Sequence, residues 1–121
     1  MNIAVIGASK DRSKFGNKCV RAYKSKNHKV FPVNPKEAEI EGLKCYKSIK
    51  EIKEKLDIVS LYLPPKIGES VVDEIIKVKP KKVYLNPGTE SEVIVRKLLD
   101  AGIEIKQECS IVALGLSPAL F

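Results

Sequence analysis

Asn2-Ile3-Ala4-Val5-Ile6-Gly7-Ala8-Ser9 is the stretch on which the reading of this chain turns. Asn2–Ile6 is a short, largely β-branched apolar run that stops at Gly7, the pattern of a strand buried on both faces of a parallel sheet. Over residues 14–27, Phe15, Cys19, Val20 and Tyr23 recur at helical spacing, with Lys18, Arg21 and Lys24 on the other side. That spacing predicts an amphipathic helix, with Ser13 as its N-cap. A buried strand, a glycine turn and a helix open a βαβ unit.

The rest of the chain continues the alternation. Lys29–Val33 reads as a second strand, stopped by Asn34-Pro35. Ser48-Ile49-Lys50-Glu51 has the form of a capping box and opens a short helix to about Lys55. Asp57–Leu63 is the third strand, ended by Pro64-Pro65. Residues 66–79 put Ile67, Val71, Val72, Ile75 and Ile76 on one helical face. Lys82–Leu85 is the fourth strand, closed by Asn86-Pro87-Gly88. Thr89-Glu90-Ser91-Glu92 is a second capping box, whose helix runs to Gly102, a good residue to end one. Ile103–Ile105 is the fifth strand. The expected fold is one α/β domain over residues 1–121: a Rossmann-like, three-layer, doubly wound parallel five-stranded sheet in strand order 3-2-1-4-5.

Composition narrows the class. The chain has 121 residues, 44% of them hydrophobic and 31% charged. That suits one ordered domain with a modest core. No apolar run approaches the ~20 residues that span a bilayer, so no membrane partner is expected. Met1–Ala8 is too short and too weakly basic for a signal peptide. Cys19, Cys45 and Cys109 have neither zinc-ligand nor C-x-x-C spacing, which points to free thiols in a reducing, cytoplasmic setting.

The net charge of +7 is concentrated at one end. Residues 1–36 hold nine Lys and Arg against one acid, Asp11, whereas the remainder holds thirteen against fourteen. Such asymmetry favours an anionic partner for the first third of the chain.

In doubly wound sheets ligands bind beyond the carboxyl ends of the strands. The loops expected on that rim are residues 7–14, then Asn34-Pro35-Lys36, Pro64-Pro65-Lys66 and Asn86-Pro87-Gly88-Thr89. In the first, Gly7 and Ala8 let backbone N–H groups approach a phosphate, Ser9 and Ser13 add hydroxyls, and the helix beginning near Lys14 directs its positive end there. The loop is not G-x-G-x-x-G: Ser9 and Arg12 stand where the second and third glycines belong. An NAD site also wants Asp or Glu after the second strand to hold the ribose diol. Asn34 and Lys36 suit a phosphorylated ribose better, which points to NADP or coenzyme A.

Catalytic constellations are poor. His28, the only histidine, is expected on the opposite rim. No Ser-His-Asp or Cys-His arrangement and no metal cluster is evident, so a binding function is expected rather than an enzyme. Lys18, Arg21 and Lys24 could track nucleic-acid phosphates. With no tryptophan and no stacking platform, nucleic acid is the weaker reading.

Taken together these residues resemble the stand-alone CoA-binding domain family, small Rossmann-like proteins related to the CoA-binding part of the succinyl-CoA synthetase alpha subunit. The matching stretches are residues 3–9, 30–35, 42–49, 56–65, 85–89 and 101–105, with Cys109 where the family often has a cysteine. The resemblance implies a CoA or acyl-CoA ligand. Gly7, Ala8, Ser9 and Lys10 would hold the diphosphate, with Ser13 and Lys14 near it. Asn34, Pro35 and Lys36 would lie by the 3′-phosphorylated ribose. Leu63, Pro64 and Pro65 would flank the adenine or the start of the pantetheine, and Asn86, Pro87 and Gly88 would line the path to the thiol. The alternative is an NADP(H)- or NAD(H)-binding redox-responsive module. Residues 110–121 are mostly apolar, and are expected to cover a sheet edge or form a homodimer contact.

Overall fold

A computed structural model describes residues 1–121. Its centre is strand β1 (Asn2–Ile6), flanked on one side by β2 (Lys29–Val33) and on the other by β5 (Ile58–Leu61). Beyond β5 lie β6 (Lys82–Leu85) and β7 (Glu104–Lys106), all parallel. Ala4 pairs with Phe31 on one side and Val59 on the other. The ladder continues to the rim, where the Gly7 N–H donates to the Val33 carbonyl at 3.1 Å and the Tyr62 N–H to Ile6 at 2.8 Å.

The five-stranded parallel α/β sheet is the one expected, but its order is 2-1-3-4-5, not 3-2-1-4-5: the third strand of the sheet joins the free side of β1 instead of the outside of β2. The outer edge of β2 is already covered by a two-stranded hairpin, β3 (Glu39–Ile40) and β4 (Leu43–Lys44), and by the residues after it. Tyr46 donates its N–H to the Pro32 carbonyl and accepts from the Asn34 N–H, both at 2.9 Å. Pro32 faces that edge and has no N–H, so it cannot serve an internal strand. The point where the connections diverge is therefore between β1 and β5, and the residues after both strands meet there.

Helix α1 (Phe15–Ser25) covers one face of the sheet, over Ile3, Val5, Val30, Ile58 and Tyr84. On the other, helices α2 (Pro65–Val78) and α3 (Glu92–Asp100) and a 3₁₀ turn at Ile49–Glu51 pack over Ala4, Ile6, Phe31, Val59, Leu61, Val83 and Leu85. The second capping box shifts by two residues: Ser91, not Thr89, caps α3 by accepting from the Ile94 N–H, while Thr89 Oγ1 donates to the Asn86 carbonyl at 2.7 Å. Of the first, only the Ser48 half caps the turn, accepting from the Lys50 N–H; Glu51 reaches back to the Lys47 N–H.

The apolar tail packs on the domain's own face, not along an edge. Helix α4 (Ser110–Ala113) lies beside α1, with Ile111 fully buried against it and Leu114, Leu116 and Phe121 half-buried. Burying Ile111 alone is worth about 2 kcal/mol.

Candidate functional site

The β1–α1 turn is held by tight packing around two glycines. Gly7 has φ +87°, and a Cβ there would overlap the Tyr62 carbonyl. A Cβ on Gly16, in the first turn of α1, would overlap the Gly7 carbonyl and lie 3.2 Å from Ala8 Cα. These contacts bring the start of α1 over the end of β1 and beside the end of β5. No side chain caps α1, whose N-cap is Lys14 in an extended conformation. Its first-turn N–H groups at Phe15 and Gly16 therefore face the rim without intrahelical partners.

Side chains from α1 and from the end of β2 brace the turn. Asn17 Nδ2 donates to the Ser9 carbonyl at 2.9 Å and to Glu41 Oε2 at 3.0 Å. Asn34 Nδ2 donates to the Ala8 carbonyl at 2.8 Å, and its Oδ1 accepts from the Lys36 N–H at 2.8 Å. Arg21 bonds to Asn17 Oδ1, the Arg12 carbonyl and the Phe121 carbonyl at 2.7, 2.8 and 2.8 Å. Ser9 Oγ accepts from the Asp11 N–H, and Ser13 bonds Asp11 Oδ1 through both its N–H and its hydroxyl. Those bonds hold the Asp11 carboxyl below the usual carboxylate range. Ser13, expected to cap α1, instead belongs to this Asp turn.

Three contiguous hollows run across the rim. The first, about 350 Å³, lies between the end of β2 and α2, and is walled by Val33, Pro35, Ile49, Leu63, Ile67 and Val71. A central trough of about 570 Å³ lies over Gly7, Ala8, Ser9, Ser13, Lys14 and Gly16. The third, about 400 Å³, is walled by Phe15, Tyr62, Pro64, Pro65, Pro87, Gly88, Thr89 and Cys109. Leu63 lines all three, Gly7 and Asn34 also line the first two, and Phe15 and Tyr62 the last two. An apolar recess, a polar trough rich in backbone N–H groups and a second apolar recess thus follow one another.

Most of the residues expected at the site line this groove, and three do not. Lys10 is exposed and paired with Glu37 at 3.8 Å. Lys36 is exposed and lines none of the hollows. Asn86 is fully buried: its Nδ2 donates to Ser60 Oγ and the Leu61 carbonyl, both at 2.9 Å, and its Oδ1 accepts from the Ser110 N–H at 2.8 Å. It joins the ends of β5 and β6 to the start of α4. Thr89 lines the groove as its rim loop implies, while Phe15, Tyr62, Ser48 and Glu74 line it without any expectation from the sequence. Phe15 is 52% exposed at the head of a stripe that otherwise buries Cys19, Val20 and Tyr23, and its spacing alone does not set it apart from them.

Burial decides the character of the thiols. Cys19 is enclosed beside Ser60 and pushed up to about 12, and Cys45 is also raised by burial. Cys109 is half-buried and opens into the third hollow. The basic face of α1 is largely committed: Arg21 belongs to the bracing network, and Lys24 Nζ donates to the Glu41 carbonyl at 2.8 Å. His28 stands at the other end of the sheet, edge-on to Tyr23.

The CoA binding domain family model matches residues 1–115. The chain belongs to the CoA-binding domain family. A solved structure of a conserved hypothetical protein from Pyrococcus furiosus is 42% identical, covers 93% of this chain and 97% of its own, and superposes with a TM-score of 0.86. Among curated proteins, an ADP-forming acetate–CoA ligase of Methanocaldococcus jannaschii is 35% identical over 76% of this CoA-binding domain, which matches 13% of the ligase. The alpha subunit of ADP-forming acetate–CoA ligase II from Pyrococcus furiosus is 41% identical over 60% of the chain and 16% of that subunit. A dinucleotide-forming acetyl-coenzyme A synthetase of Ca. Korarchaeum cryptofilum, solved with phosphate and ADP, aligns over 88% of this chain and 25% of its own, with 31% identity and a TM-score of 0.78. The domain thus spans a small fraction of these ligases and nearly all of the hypothetical protein. No helix is long and apolar enough to cross a membrane.

Proposed function

We propose that this domain binds coenzyme A or an acyl-CoA along the rim, and serves as a sensor, carrier or subunit rather than as a catalyst in its own right. The observation that carries this is the continuity of the three hollows through Leu63 across the uncapped start of α1. A ligand with a flat base, a diphosphate and a long, mainly apolar arm matches that succession of surfaces. The diphosphate lies over Gly7, Ala8 and Ser9, where backbone N–H groups and the helix dipole favour an anion. The base occupies the recess by Val33 and Pro35. The pantetheine arm follows Leu63, Pro64, Pro65 and Pro87 towards Cys109. Lys14 and Lys36, neither of them in an ion pair, lie within the basic first third and are available to the phosphates on the ribose side.

The non-catalytic reading rests on the chemistry of the rim. Its polar groups are amides, hydroxyls and lysines, which hold an anion well, while the sole histidine is at the far end of the strands. The competing reading, an NADP(H)- or NAD(H)-binding redox module, places its ribose beside the same Asn34 as the CoA reading does, so that residue favours neither. Both polar atoms of the Asn34 side chain already bond to the backbone. Thermal-shift measurements with CoA, acetyl-CoA, 3′-dephospho-CoA, NADP and NAD separate the two. A site of micromolar affinity at saturating ligand adds about 2–4 kcal/mol of apparent stability. Stabilisation by CoA that is smaller with dephospho-CoA and absent with NADP and NAD supports the proposal. Stabilisation by NADP or NAD alone replaces it with the redox reading.

A further inference from the structure

The recess between β2 and α2 has one polar end. Ser48 accepts from the Lys50 N–H at 3.2 Å and donates its own proton to Glu74 Oε1 at 2.9 Å. The hydroxyl proton is thereby spent, and the pair offers the recess acceptors only. No Lys or Arg forms an ion pair with Glu74, and its Oε2 has no partner within the chain. Both residues are half-buried and line the hollow with Val33, Ile49, Leu63 and Val71. Lys47, the other charged lining residue, is exposed.

A carboxylate at the end of an apolar slot repels phosphate and accepts from an N–H donor. We infer that the Ser48–Glu74 pair selects the base: it takes the exocyclic amino group of a 6-aminopurine and rejects a purine carrying a carbonyl there. This inference rests on the CoA reading above and gives it a direction, since the same carboxylate keeps the phosphates out of the recess and over Gly7–Ser9. In a 6-oxopurine, oxygen would face oxygen, and the acceptor left without a donor would lose its hydration for nothing. Ser48 acts as a positioning residue, since it fixes Glu74 through one oxygen and leaves the other to the ligand.

The test is calorimetric titration with CoA and with its hypoxanthine counterpart, in which a carbonyl replaces the 6-amino group. The wild-type protein binds CoA about 10- to 100-fold more tightly than the counterpart, as expected for one hydrogen bond to a charged acceptor. Glu74→Leu brings the two affinities within about threefold by weakening CoA, with far-UV circular dichroism unchanged. Glu74→Gln, whose amide can donate, narrows the gap by improving the counterpart, and serves as the test should the leucine variant fail to fold. Equal affinities in the wild-type protein, or a preference that survives in the variants, overturns the inference while leaving CoA binding intact. No binding of either compound overturns both.

Discussion

Asn34 donates its side-chain amide to the carbonyl of Ala8 at 2.8 Å, tying the end of β2 to the turn that follows β1. In the sequence Asn34 reads as a ligand contact; in the structure it is a brace for the atoms that would make the contact. Asn34→Ala removes this bond and the one from the Lys36 N–H. We expect a loss of about 1–2 kcal/mol in urea denaturation. CoA binding should fall in parallel, because the Ala8 and Ser9 backbone is no longer held.

Gly16 makes the same point through packing. Alanine there would push α1 from the Gly7 carbonyl. Overpacking of this kind costs about 1–3 kcal/mol. The expected result for Gly16→Ala is a lowered unfolding midpoint together with at least tenfold weaker CoA binding. Alanine at Gly42, where a Cβ meets nothing within 4 Å but φ is +76°, should lower the unfolding midpoint without weakening CoA binding, and so serves as a control that separates the two readouts.

The thiols should separate cleanly on labelling at pH 8. Cys19, with its thiol pushed up to about 12 by burial, and the buried Cys45 remain unmodified until the protein unfolds. Cys109 reacts in the folded protein, since it lines the third hollow. Saturating CoA should slow that reaction severalfold, measured by mass spectrometry of modified peptides. Equal rates with and without CoA would place the arm of the ligand elsewhere.

Asp57 supplies a pH dependence. The Asn2 N–H donates to its Oδ2 at 2.8 Å and Lys81 pairs with Oδ1 at 3.4 Å, which together hold its carboxyl below the ordinary 3.8. A carboxyl lowered by folding contributes stability that is complete above its ordinary value and is lost as pH falls through the folded one. Asp57→Asn should therefore flatten the stability profile below about pH 4, followed by urea midpoint against pH.

The long elements of this fold were legible because each carries its own period. Val72, Ile75 and Ile76 announce α2, and the β-branched residues of Ile3–Ile6 and Ile58-Val59 announce β1 and β5. Strand order depended on Pro32, a residue whose missing N–H marks an edge, and on a hairpin of two-residue strands too short to show any period. The start of α3 was displaced because Thr89 and Ser91 both suit a cap, and the tight Asn86–Thr89 turn claims the first of them.

The site was legible where backbone makes it and obscure where side chains do. Gly7, Ala8 and Ser9 lie in the trough because a strand–turn–helix geometry puts them there. Asn34 and Asn86 share the loop composition of ligand contacts, yet the amide of each is turned on the protein's own backbone. Glu74 sits mid-helix in α2, and nothing local distinguishes it from Asp73, which pairs with Lys97 on the surface. Only the closure of residues 48–49 onto that helix brings it to the recess.

The central claim is that the β1–α1 turn holds the diphosphate of CoA. Ser9→Asp tests it most directly, because aspartate can still accept from the Asp11 N–H and preserve the turn while placing a negative charge in the trough. Calorimetric titration of CoA should give binding at about micromolar Kd to the wild-type protein and at least tenfold weaker binding to the variant. Unchanged affinity in a folded Ser9→Asp variant would contradict the account and move the phosphates off this turn.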